Sequence, residues 1–203
     1  MPDDRTRIAA ILDFWFGAPG TPERDLYRRS WFQATPELDA SLRGLFGADQ
    51  AEAATGALDH WALDRDGALA LVLLLDQLPR NLFRGRPEAF ACDAKAREIA
   101  REALARGFDR GLPAMRCLFF YMPFEHSEIP ADQDFAVGLF DAMPACPEKA
   151  RMAENARRRR DGIARFGRWP LRNKALGRVS TPEEEQFIRE READWAERRA
   201  AEG

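Results

Sequence analysis

Apolar residues recur along this chain at helical spacing almost from end to end, and that period constrains its fold more than any other feature. Ile8, Ile11, Leu12, Trp15 and Phe16 stand at i, i+3, i+4, i+7 and i+8, one stripe of an α-helix. Gly17-Ala18-Pro19-Gly20 ends it. Thr35 and Pro36 open a second helix, predicted to reach about Phe46, because Thr caps a first turn and Pro suits its start. A third is predicted from Ala48 to Leu63. A fourth, Gly67 to Leu78, is the most apolar and therefore the central one, with Pro79 expected to stop it. Pro87 is read as opening a fifth that runs to Arg106 and ends at Gly107. Further helices are predicted over Leu112 to Tyr121, from Pro130, and from Pro147 to Phe166. Thr181-Pro182-Glu183-Glu184 combines an N-cap, a first-turn Pro and a capping-box Glu, and so begins a last helix over 181–200.

No segment alternates with period two and is also rich in Val, Ile and Thr. The predicted class is therefore all-α, a single domain over 1–203 of about nine helices with no sheet. Three connections, near 17–34, 121–131 and 167–180, are irregular. With 203 residues, 14 Phe and 5 Trp, the chain buries a full core without disulfides or metal.

Composition then narrows the function. Lys+Arg is 31 and Asp+Glu is 34, a net charge of -3, which excludes a globally basic nucleic-acid binder. The charge is uneven: between Arg157 and Arg178 nine basic residues face one acid, Asp161, a local +8. Cys92, Cys117 and Cys146 form no CxxC and have no His at ligand spacing, so free thiols are expected, with no metal and no cofactor. The longest apolar run, Ala68 to Leu75, is far short of the roughly 20 residues of a membrane span. No leader-like segment opens the chain, and a cytoplasmic protein is expected.

Three constellations carry possible chemistry. Leu69, Val72, Leu73 and Asp76 share one face, so Asp76 falls on the apolar stripe of the most buried helix. A buried carboxylate needs a partner, and Arg80 and Arg84 follow one and two turns later. Asp76 and Arg80 form a structural ion pair in one reading; in the other, Asp76 orients an arginine that binds an anion. The second constellation is Tyr121-Met122-Pro123-Phe124-Glu125-His126-Ser127-Glu128, which sets a His beside two carboxylates and a hydroxyl, where it serves as a general base, as a metal ligand, or simply in a loop held by side-chain hydrogen bonds. The third runs from Arg165 to Arg178 and joins Arg168, Trp169, Arg172 and Asn173 with Gly and Pro. Just before it, Met152, Asn155, Arg159, Ile163 and Phe166 share a stripe, which turns Arg159 inward.

These blocks, with Leu12-Asp13-Phe14-Trp15-Phe16-Gly17, Asp76 to Gly85, Asp132-Gln133 and Ser180-Thr181, resemble a bacterial family known as domain of unknown function 924. The resemblance spans about Ile11 to Phe187. It implies an α-helical array of antiparallel pairs similar to tetratricopeptide repeats, and no activity. The family pattern often places a His where this chain has Arg159 and another where it has Leu171. Their absence weighs against metal chemistry around His126 and toward an arginine-lined anion site.

Three functions are in contention. The first is binding of an anionic small molecule or peptide by Arg80, Asn81, Arg84, Tyr121, Glu125, His126, Arg168, Arg172 and Asn173. The second is a hydrolase-type enzyme with His126 as base, held by Glu125 or Glu128; no nucleophile elbow, P-loop or HExxH supports it. The third is a scaffold for a protein or RNA partner through the +8 segment, with nucleic acid ranked last.

Overall fold

The structure, a computed structural model, describes residues 3–32 and 35–202, of which 198–202 by backbone alone. Helix α1 spans Asp4–Phe16; the Asp3 carboxylate accepts from the Thr6 N–H at its start. Helix α2 spans Pro36–Thr55, with Thr35 as cap. The second and third predicted helices are thus mostly one, because Leu42, Phe46, Gln50 and Ala53 continue a single buried stripe across Gly47. Only Asp59–Leu63 stands apart, as a 3-10 turn.

Helix α3 (Arg65–Val72) passes into a π-helical turn, Leu73–Gln77, and on into α4 (Leu78–Leu82) without a break. Pro79 therefore does not stop this rod. A π turn skips one backbone carbonyl, and a proline just beyond it has no N–H to supply, so the two irregularities suit each other. Pro87 opens only a 3-10 turn, Pro87–Phe90, and helix α5 begins at Asp93 (Asp93–Ala105). Helix α6 (Ala114–Glu125) carries Pro123 inside its last turn, beyond its predicted stop. Then come α7 (Pro130–Ala142), α8 (Lys149–Phe166) and α9 (Pro182–Glu202).

With α3 and α4 joined, the described residues hold eight helical rods, against about nine predicted, and no strand. The rod of α3 lies at the centre, against α1, α5 and α6, and Gly67 through Leu75 are all buried. Its start is pressed so close to the preceding turn that a Cβ on Gly67 would lie 2.2 Å from the Trp61 carbonyl oxygen. Helices α5 to α8 pack each on the next. One hydrophobic cluster runs from Ile11 to Ala156, with Trp15, Phe16 and Trp31 set edge-on around Phe119 at 5.7, 5.5 and 5.0 Å. The three cysteines are free thiols. Among the described residues no helix is long and apolar enough to cross a membrane.

Candidate functional site

The π turn sets Asp76 deep in the fold, with no exposed surface. Its carboxylate takes His126 Nδ1 at 2.8 and 3.0 Å, Gln77 Nε2 at 2.5 Å and Arg80 Nη1 at 3.3 Å. Arg80 also donates to the Asp76 backbone carbonyl. Four residues separate Asp76 from Arg80, one helical turn, so the rod itself delivers this pair. Arg80 then forks onto Asp93 at the start of α5, at 2.9 and 3.0 Å. Asp93 is shared with Arg172, 3.1 Å away, and Arg172 donates to the His126 carbonyl at 2.7 Å. The Phe90 ring lies under both guanidinium groups, 4.5 Å from Arg172 and 5.6 Å from Arg80.

A carboxylate only accepts, so Nδ1 of His126 carries the proton and donates it to Asp76. Among the described residues Nε2 has no hydrogen-bond partner. Burial and the Arg80 charge push the His126 pKa down to about 3, against the pull of Asp76. The ring is therefore neutral at pH 7. Asp76 is held well below the usual carboxylate range by Arg80 and His126, which together overcome the cost of burial. Beside them Glu125 is raised, chiefly by burial.

Arg159 approaches from α8. It stacks on Trp169 at 4.6 Å, and among the described residues its buried Nε has no hydrogen-bond partner and no carboxylate lies within ion-pair distance of it. Burial, together with the Arg172 and Arg80 charges, pushes its pKa down to about 9.

His126, Arg159 and Trp169 line both of two neighbouring cavities. One, of about 290 Å³, is lined by ten residues that include Arg80, Arg84, Arg159, Arg172 and His126 and no acid. The other, of about 230 Å³, has a mainly apolar wall from Leu118, Met122, Phe140 and Met152, with Glu125 and Asn155 among its polar residues.

The predicted site residues divide accordingly. Arg80, Arg84, His126 and Arg172 line the arginine cavity, and Glu125 the neighbouring one. Arg84 also pairs with Asp39 at 3.1 Å. Asn81 donates to Asp39 and lines a separate hollow under Trp31. Tyr121 donates to Asp109 and stays apart from the cluster. Arg168 and Asn173 are drawn to Glu184 of α9, Arg168 at 2.6 and 2.7 Å. Glu128 faces away, gripped by Arg178 at 2.9 Å and by the Trp169 N–H at 3.0 Å. Gln133 clamps the end of α6 through the carbonyls of Phe124, Glu125 and Ser127. Arg159 and Leu171, where the family pattern often has histidines, line the same cavity as His126. Sequence reasoning had turned Arg159 inward but missed Asp93, an ordinary first-turn acid with no local sign of its two arginine partners. Among the described residues no group of three or more His, Cys, Asp or Glu is placed to hold a metal ion.

The model of the bacterial family of unknown function DUF924 matches residues 11–192. A solved structure of a protein of unknown function from Agrobacterium tumefaciens is similar at a TM-score of 0.81 and 37% identity, covering 93% of this chain and 99% of that one. No curated protein matches. With the family match spanning most of its length, the chain belongs to the bacterial family DUF924.

Proposed function

We propose that the protein binds an anionic small molecule or a peptide carboxylate in the arginine cavity. The observation that carries this reading is the cavity's charge: four arginines and a neutral histidine, with no acid in the lining. Asp76 and Asp93 offset Arg80 and Arg172 from behind, and Arg159 is left without a paired carboxylate. A bound carboxylate or phosphate would accept from Arg159 and reverse the repulsion among the three guanidinium groups; arginine's planar fork suits such anions. Titration calorimetry with inorganic phosphate and with citrate tests it. Saturable binding is expected, weakened about tenfold or more by Arg159→Ala, a loss of about 1.4 kcal/mol. Absence of binding, or binding indifferent to Arg159→Ala, overturns it.

A second reading, hydrolysis, draws on the Asp76–His126 pair. A carboxylate that fixes the Nδ1–H tautomer leaves Nε2 as a base toward the cavities. His126 would take a proton from water as the water oxygen attacks the substrate, and the leaving group would take a proton from the Glu125 carboxyl. Glu128, committed to Arg178, has no part in it. Turnover of 4-nitrophenyl esters or of 4-nitrophenyl phosphate, lost in His126→Gln, would support it; no turnover of either would end it.

The same reading has the protein working in the cytoplasm as one domain of tetratricopeptide-like helix pairs, with a protein partner as the remaining scaffold option and no nucleic-acid or membrane partner.

A further inference from the structure

We infer that the ligand is amphipathic, with its anionic head among Arg80, Arg159 and Arg172 and an apolar tail in the adjoining chamber. The inference rests on the anion-binding reading and names the class of molecule. Leu118, Met122, Phe140 and Met152 are each at most 7% exposed and belong to the core, yet they line a space of about 230 Å³. Trp195 of α9 closes part of the same chamber. Apolar walls gain by contact with an apolar group and gain nothing from water. The two methionines give the chamber adaptable walls.

Charge sets the orientation. The chamber's lining sets Arg159 and Arg191 of α9 beside Glu125, whereas the arginine cavity has four arginines and no acid in its lining, so the anionic head favours the arginine cavity. A molecule that occupies both spaces must pass the residues they share, His126, Arg159 and Trp169. The junction between head and tail therefore lies over His126 and beside Glu125. A bare inorganic anion would fill the arginine cavity and leave the apolar chamber unused.

A chain-length series decides the matter. Titration of the full-length protein with acetate, butanoate, hexanoate and octanoate is expected to show affinity rising at least tenfold from first to last. Octyl phosphate against inorganic phosphate should show the same gain, and the tighter of octanoate and octyl phosphate identifies the head. Octanol should bind at least tenfold more weakly than either. Met152→Phe, which narrows the chamber, should cut the chain-length gain while acetate and phosphate bind as before. Met122→Phe serves the same purpose should the first variant not fold. Equal affinity for acetate and octanoate overturns the tail and leaves anion binding standing. Octanol binding as tightly as octanoate overturns the head, and with it the arginine reading. No binding by any probe overturns both.

Discussion

His126 keeps a single proton, on Nδ1, because Asp76 accepts there and the surrounding burial rejects a second charge. Stability follows from this. The unfolded chain binds a proton at this ring near the ordinary histidine value of about 6.5, whereas the folded ring resists until about 3. Between those limits the unfolded state holds more protons, so stability falls as pH falls, by up to about 1.4 kcal/mol per pH unit from this group. Asp76 acts in the same direction: its depressed pKa contributes stability above the ordinary aspartate value and loses it as pH drops below. Urea unfolding between pH 7 and 4.5 should show a steeper loss in the wild type than in His126→Gln. Parallel curves would mean that the folded ring titrates normally. Asp76→Ala leaves His126 Nδ1 without its acceptor and takes from Arg80 one of its two carboxylates, and should cost about 3–5 kcal/mol by the same measurement, as removal of one partner of a buried ion pair does. Asp76 facing inward was readable from its place on the Leu69–Leu73 stripe. Its partner His126 was not, since the two lie 50 residues apart.

The connection after α8 is tied to that helix by one close approach and to α9 by one polar knot. A Cβ on Gly162 would stand 2.6 Å from Trp169, so only glycine lets the indole lie flat against α8 and under Arg159. Gly162→Ala should cost about 1–3 kcal/mol through overpacking and also weaken anion binding, read by thermal unfolding and by calorimetry with phosphate. Unchanged phosphate affinity would separate Trp169 from the site. The knot is Glu184, which accepts from the Thr181 N–H while Thr181 Oγ1 accepts from the Glu184 N–H at 3.2 Å. Arg168 closes on the same carboxylate and lowers its pKa to about 2. Glu184→Ala should free the start of α9, so trypsin is expected to cut within residues 178–191 several times faster than in the wild type. An unchanged digestion pattern would refute that. The capping box was visible in the sequence because it spans four residues. Arg168 lies 16 residues away from Glu184 and had seemed free to bind a ligand.

Across the whole molecule, packing pairs seven of the nine basic residues in the +8 segment. Arg157, Arg158, Arg160, Arg165, Arg168, Arg172 and Arg178 each reach a carboxylate, five of them on other elements: Asp141, Glu183, Glu184, Asp93 and Glu128. A surface paired in this way offers little to a polyanion. A gel shift with single-stranded RNA at about 150 mM salt should show no retention, whereas salt-sensitive retention would restore the nucleic-acid reading. The all-helical class, the caps at Thr35 and Thr181 and the inward faces of Asp76 and Arg159 were all determined by the sequence alone. Period and capping act over a few residues, and the neighbours that cause them are adjacent in the chain. Tertiary structure decided the rest. A continuous buried stripe carried α2 through Gly47, and a π turn carried the central rod past Pro79. Helix packing chose which carboxylate each arginine met and, among the described residues, left Arg159 with none, because pairing across 13 to 79 residues depends on where whole helices lie. The two cavities lined in common by His126 exist only at that level, since no local pattern of residues encodes an empty space.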